Sequence, residues 1–501
     1  MKELFLFVRP PRPLWPFNGP ASSVWPPLAF ASLAASLRSS IPDLSVAILD
    51  APALHMGWRS LEGEMRRLQP AYVGIGEEAV SCTEGLRLAR LAQKLHAQVV
   101  AGGCFFSHVS NEVIATGLID AVVHGEGEIT IVALVEALRS GSARELHGVL
   151  GISFADGDSI VHTPPRPLIP DLDELPFPAY DLLPVDCYGR GSRNHPDLAA
   201  IELGRGCVGS CAFCVLWRQM GRYRGSTLLP QLRTKSPERL REEIRILTGK
   251  FQRRYLGWVD PCFNADPQVP GRLAELMLKD NLHVGQSAWV RADAIVRDAA
   301  SSALARCVRS GLNEVYLGIE RGDAATLHTL NKTMDPNSSR RALQILARDF
   351  PEVFTVGSFI YGLPEDTPDT VRNLRRFAWK LNLDYPFFIP LTPLPGTPYW
   401  QSELWDSTGE KFRNFGFLPG VFRGGSRSGL DKALLISDLF DWNRVRFYSD
   451  VRGIFHHNMR KRRLTRRLLW RGGVFQVCQL LKSMLGRHQD GGMLFPSWYE
   501  N

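Results

Sequence analysis

Cys207, Cys211 and Cys214 stand in the stretch GRGCVGSCAFC, spaced Cys-x3-Cys-x2-Cys, with no fourth cysteine nearby. Thiolates are soft ligands that suit zinc or an iron–sulfur cluster, and a structural site of either kind takes four protein ligands. Three thiolates would hold three irons of a cubane and leave the fourth iron open to another ligand. The competing reading is a zinc knuckle that borrows a distant fourth ligand. The other six cysteines stand alone and read as small buried residues. An odd total without regular pairing does not make a disulfide framework.

The elements that would position this trio can be read from periodicity. Residues 4–8 (LFLFV), 45–50 (SVAILD), 72–76 (YVGIG), 98–103 (QVVAGG) and 120–128 (DAVVHGEGE) are strand-like and alternate with helix-like segments. This predicts an α/β, Rossmann-like doubly wound parallel sheet over residues 1–150, with its ligand beyond the carboxyl ends of the strands. A proline-rich stretch at residues 163–184 can be neither regular helix nor central strand, and marks a linker over 151–195. Residues 196–400 alternate six strand-like and several helix-like segments, which predicts a partial (β/α)6 barrel. The trio follows the first barrel strand, AAIEL, where barrel active sites are built. Residues 401–501 read as a mainly helical region on the substrate side.

Composition sets outer bounds. A chain of 501 residues needs roughly two to four domains, and 45% hydrophobic with 22% charged residues is a soluble globular balance. No apolar run reaches the roughly 18 to 20 residues of a membrane helix, and MKELFLFVRPPRP is no signal peptide, so a cytoplasmic protein is expected. The net charge of +8 gathers in part between Arg460 and Arg471, a run with no acidic residue. That run reads first as a solvated helix face, and second as a peripheral contact for an acidic lipid surface, RNA or an anionic substrate.

The cysteine pattern, with Phe213 just before the last ligand, resembles the signature of the radical S-adenosylmethionine (SAM) superfamily. The resemblance implies a 4Fe-4S cluster whose open iron chelates SAM and cleaves it to methionine and a 5′-deoxyadenosyl radical. Further motifs follow in the family's order. GWVDPCFN offers Asp260 near the methionine amino group, WVRAD offers Arg291, and GIERG resembles a strand ending whose glutamate, here Glu320, contacts the cofactor. Lys332, twelve residues on, stands where relatives carry a basic residue for the methionine carboxylate. FIYGLPEDT resembles the segment lining adenine, and LTPLPGTP the sixth-strand ending. Arg321 departs from the usual serine, which implies different contacts just after Glu320.

An N-terminal parallel sheet ahead of such a barrel is similar to the cobalamin-binding branch of that superfamily, which includes C-methyltransferases and anaerobic magnesium-protoporphyrin ester cyclases. VVAGGCFFSH and VVHGEGEIT resemble its strand-end loops, so Gly102, Gly103, Gly125, Glu126 and Gly127 are assigned to cobalamin. Glycines suit close approach of the backbone to a bulky corrinoid. The Asp-x-His-x-x-Gly motif for a lower axial histidine is absent, and His55 reads as a loop histidine.

The resemblance implies methylation of an unactivated carbon of a small-molecule or peptide substrate, with a flavodoxin- or ferredoxin-like electron donor. Cyclisation or ring rearrangement without methyl transfer is the alternative. tRNA methylthiolation would need three further N-terminal cysteines, whereas only Cys82 and Cys104 precede residue 165. A non-catalytic cobalamin sensor leaves the intact trio unexplained.

Overall fold

The run LFLFVR forms β1 (Leu4–Arg9), and the computed structural model, which describes residues 3–12, 25–76, 82–190, 195–381, 383–391, 393–400 and 499–501, builds the first sheet around it. β2 (Ser45–Asp50) lies on one side of β1; β3 (Tyr72–Gly76), β4 (Gln98–Gly102) and β5 (Ala121–Val123) follow on the other, all parallel. Strand order therefore reverses at β1 and β3, the place where open α/β sheets bind ligands. Both faces are covered, which is why the strands are apolar throughout. Phe5 and Phe7 pack with Phe30, Ala34 and Leu134 of the helices Leu28–Ser40 and Glu128–Ser140. Leu6 and Val8 pack with Leu61, Met65, Leu86 and Ala89 on the opposite side. Each such buried side chain stabilises by about 1.5–3 kcal/mol relative to exposure.

The sheet continues past residue 150. An antiparallel hairpin, β6 (Ile152–Asp156) and β7 (Ser159–His162), adds two strands beyond β5, turning at Gly157 with φ +59°. The proline-rich stretch then runs as short 3-10 turns between the two sheets. Tyr180 donates to Glu243 Oε1 at 2.7 Å, and Tyr188 to Asp50 Oδ2 at 2.8 Å, so the linker is bonded to both sides. One apolar core runs without a break from Phe5 through Tyr180 to Leu256 and Phe359.

The second sheet has six parallel strands in the order β8 (Leu198–Ile201), β13 (Tyr255–Trp258), β14 (Gly285–Val290), β15 (Leu312–Glu320), β16 (Phe354–Tyr361) and β17 (Tyr385–Pro390). This is the expected partial (β/α)6 barrel. Between β8 and β13 lie β9 (Gly204–Gly206), the hairpin β10 (Arg222–Arg224) and β11 (Thr227–Leu229), and β12 (Leu232–Thr234), which pairs antiparallel with β9. Trp258 donates to Gln286, which donates to Ser310 O in an outer helix, so this row faces the helices. Alternation then turns Gly257, Val259, Ser287, Trp289, Glu314 and Tyr316 to the lumen. Residues 401–498, including the basic run from Arg460 to Arg471 and nearly all of the expected C-terminal helical region, lie outside the described residues. Among the described residues no helix is long and apolar enough to cross a membrane.

Candidate active site

β8 ends beneath the cysteine loop, and β9 aligns it. A Cβ at Gly204 would lie 2.4 Å from Arg233 O, and one at Gly206, where φ is +93°, 1.9 Å from Gln231 O. Only glycine lets β9 approach β12 this closely. Cys207 N then donates to Gln231 O at 3.0 Å, fixing the first ligand. The Cβ position of Gly209 lies 3.8 Å from Cys207 Sγ, 3.9 Å from Cys211 Sγ and 3.4 Å from Arg291 Nη1, so two sulfurs and a guanidinium crowd one glycine. Trp217 Nε1 donates to Cys211 O at 2.9 Å. Burial raises the Cys211 thiol to about 11, against the pull of Lys332, and raises Cys214 as well. Among the described residues no three His, Cys, Asp or Glu side chains close on a single ion position.

The cysteine loop is tied to the turn that carries Lys332. Ala212 N donates to Leu330 O at 2.8 Å, and Asn331 Nδ2 to both Ser210 O and Ser210 Oγ at 2.9 Å. Lys332 Nζ meets Glu320 Oε1 at 2.9 Å in a buried pair, and Ser358 Oγ donates to Glu320 Oε2 at 3.3 Å. Burial opposes the Lys332 charge, yet Glu320 and Cys211 outweigh it and hold the ammonium above its ordinary pKa. Glu320 sits at a bulge in the β15 pairing with φ +62°, an unusual conformation for this residue that lifts its carboxylate out of the strand row. Gly318 makes room, because a Cβ there would lie 2.9 Å from Lys332 Nζ and 2.8 Å from Glu320 Oε1.

Three further residues of the expected site are held by neighbours of their own. Arg291 grips Asp293 through Nε and Nη2 at 3.0 and 2.6 Å and turns Nη1 toward Gly209 and the cysteines, while Asn264 brackets its backbone. Phe213 packs among Leu330, Ile360, Leu363, Leu391 and Tyr399. Asp260 gives both oxygens to backbone, accepting from Leu203 N at 2.9 Å and Gly204 N at 2.7 Å; burial pushes its pKa up to about 7. The side chain braces the corner between β8 and β9. Arg321 also turns away: it pairs with buried Asp366, which accepts from Gly362 N and Leu363 N, and so clasps β15 to the loop after β16.

The first sheet presents its strand ends to the barrel mouth. After β4, Gly103 turns with φ +87°, Cys104 Sγ meets Gln219 Oε1 at 2.6 Å, and Phe105 meets Trp400 edge-on at 6.2 Å. The His108 imidazole lies against Gly396, where a Cβ would be 1.7 Å from its Cδ2. Burial, then Arg218, lowers the His108 pKa. Gly102 lies beside Val123 O, while Gly125, at φ +68°, opens to free space. Gly127 serves packing, since a Cβ would strike Leu33 at 2.8 Å. His55 is exposed and caps a short helix in the left-handed region.

Glu126, which the sequence pattern assigns to cobalamin, is bonded across the junction between the two sheets. Its Oε1 accepts from Arg205 Nη1 at 2.8 Å; its Oε2 accepts from Arg233 Nη1 at 2.9 Å and Ile169 N at 2.7 Å. Arg205 reaches Glu128 at 2.6 Å and Glu202 at 3.0 Å as well. All five charges are buried or nearly so, and burial, which raises the Glu126 pKa, is outweighed by the two arginines. Three hydrogen bonds thus tie this carboxylate to the barrel and the linker. Arg205, Arg233, Gln219 and His108 went unmarked in the sequence; the arginine inside GRGC was the one available signal.

The comparisons with known proteins agree with this geometry. Residues 201–378 match the model of the Radical SAM superfamily. An uncharacterized methyltransferase of Pyrococcus horikoshii is 31% identical over 380 residues, covering 75% of this chain and 78% of that protein. The anaerobic magnesium-protoporphyrin IX monomethyl ester cyclase of Cereibacter sphaeroides is 26% identical over 89% of this chain and 70% of its own length. The radical SAM methyltransferase TsrM from Kitasatospora setae, solved with cobalamin and a 4Fe-4S cluster, shares the fold. Its TM-score is 0.62, with 18% identity over 79% of this chain and 74% of that one. With three cysteines on one loop after the first barrel strand and a buried Glu320–Lys332 pair beside them, the chain belongs to the radical S-adenosylmethionine superfamily, enzymes that use an iron–sulfur cluster and SAM.

Proposed function

We propose that this chain is a cobalamin-dependent radical SAM C-methyltransferase. The observation that carries the reading is the docking of the segment after β4 onto the barrel, with Cys104 against Gln219 of the helix that follows the cysteines and His108 against Gly396 beyond β17. That contact sets the ligand end of the first sheet against the mouth of the barrel. The methyltransferase name of the Pyrococcus horikoshii relative and the cobalamin in TsrM support it.

When bound, the cluster, SAM and cobalamin supply an organic radical and a transferable methyl group, and the protein supplies position and dryness. Cys207, Cys211 and Cys214 hold the cluster. Lys332 and Arg291 supply positive charge for the methionine end of SAM, Glu320 accepts from its amino or ribose donors, and Phe213 offers an apolar wall. Asp260 acts indirectly, by fixing the corner of the loop. Gly102, Gly103 and Gly125 admit the corrinoid edge, and Glu126 and Glu128 hold the two units together. A small-molecule or peptide substrate, a flavodoxin- or ferredoxin-like electron donor and a cytoplasmic setting complete the reading.

Cyclisation without methyl transfer is the second reading, favoured by the match to the ester cyclase over 89% of this chain. Anaerobic reconstitution tests both. About four irons and one cobalamin per chain, with reductive release of 5′-deoxyadenosine, are expected. With substrate, a label carried from SAM methyl into a product heavier by one CH2 supports methylation, and a product without the label supports cyclisation. Failure of the unaltered chain to cleave SAM would overturn the enzymatic reading.

A further inference from the structure

Gly257 lies in β13 with ordinary strand geometry, so no backbone turn explains the missing side chain. The explanation is Trp25: the three atoms nearest a Cβ at that position are its Cζ3, Cη2 and Cε3, at 2.0, 2.4 and 3.1 Å. Trp25 arrives from the segment after β1, at the reversal of strand order in the first sheet, and its carbonyl accepts from Arg9 Nη1 at 2.8 Å. An aromatic ring of the N-terminal unit thus lies on a lumen-facing glycine of the barrel.

The surroundings are apolar and open. Trp25, Val259 and Trp289 are 38%, 40% and 36% exposed, unusual for large apolar side chains within a domain junction. Val259 and Trp289 face the lumen on neighbouring strands, and Trp289 lies on Tyr316 with ring centroids 5.1 Å apart. Val208 and Leu216, next to the cysteines in the sequence, are exposed as well. The nearby carboxylates are already satisfied: Glu202 by Arg205, Asp260 by two amides, and Glu314 by His195 at 2.6 Å and Tyr316 at 2.7 Å. A cationic substrate group would be desolvated here without a free carboxylate to meet it.

We infer that this end of the lumen receives a flat ring system of the substrate that carries no positive charge, with Trp25 and Trp289 as its aromatic walls; the inference rests on the methyl-transfer reading and names its substrate class. Indole faces favour offset stacking with planar rings, which sets them apart from a merely greasy cavity. Trp25 is then a specificity-determining residue lent to the barrel by the first domain.

The test is equilibrium dialysis of the anaerobic full-length holoenzyme against three probes: pyrene, 1-pyrenemethylammonium and adamantanol. Pyrene should bind best, and Trp25→Ala and Trp289→Ala should each weaken it about tenfold, the scale of one lost aromatic contact. Trp25→Phe should restore most of the loss, which also guards against a misfolded alanine variant. The ammonium and adamantanol should bind at least about tenfold more weakly than pyrene to the unaltered protein. Equal pyrene binding by the unaltered, W25A and W289A proteins would overturn the inference, as would ammonium binding as tight as that of pyrene. Cleavage of SAM by the unaltered holoenzyme is scored separately: its absence strikes the methyl-transfer reading, whereas intact cleavage with indifferent ring binding strikes only this one.

Discussion

Arg205 donates to Glu126 Oε1 at 2.8 Å across the junction of the two sheets, and Arg205 stands only two residues ahead of Cys207. The first ligand of the cluster loop is therefore positioned by a carboxylate from the other domain. Removing one member of a buried ion pair strands its partner, which costs about 3–5 kcal/mol. Arg205→Ala should lower stability to denaturant by about that amount and reduce iron retained on reconstitution. Arg205→Lys should recover only part, because one ammonium cannot serve Glu126, Glu128 and Glu202 together. Denaturant melts with parallel iron analysis check it; an R205A protein as stable as the parent would refute the coupling.

Lys332→Met should cut SAM cleavage about 10- to 100-fold, the range expected for one charge-assisted hydrogen bond. Lys332→Arg should fare little better, since the ammonium fits over Gly318 with no space to spare. Gly318→Ala should reproduce the defect without touching either charge. Rates of 5′-deoxyadenosine release in the three variants are the measurement.

Gly206→Ala should fail to hold a full cluster. The new methyl would fall 1.9 Å from Gln231 O at a left-handed φ, so β9 and β12 must part and release Cys207. Iron content and the visible absorbance of the reconstituted cluster report it.

His124 supplies a pH dependence with a definite sign. Burial holds its pKa down to about 4, and it shares a hydrogen bond with Ser153 Oγ at 2.6 Å. The unfolded chain binds a proton near pH 6.5, and the folded one does not until about 4. Stability from this site is thus fully present above pH 6.5 and is lost as pH falls through about 4. Relative to the parent, His124→Gln should flatten the fall between those values by up to one proton, read from the slope of melting free energy against pH.

Much of the fold was legible because it is local. Five N-terminal strands, six barrel strands and the proline boundary each announce themselves within a few residues. Cys207, Cys211 and Cys214 were legible by spacing, and Glu320 and Lys332 by their order along the barrel. What was hidden depends on distant partners. The pairing of Glu126 with Arg205, 79 positions away, leaves no mark in the local sequence. Nor does the seating of the Asp260 oxygens on the amides of Leu203 and Gly204. The β6–β7 hairpin escaped notice because it follows the helical part of the first domain and leads directly into prolines.

The Arg205 network also limits how this protein can be divided. A barrel excised at the linker would carry a nearly buried guanidinium with Glu202 as its remaining carboxylate partner, and the excised sheet would carry Glu126 and Glu128 facing water. Neither fragment would keep the network whole. Exchange of one half for a relative's would need both halves to keep the same charge pattern, so the junction works as a keyed coupling between sheet and barrel.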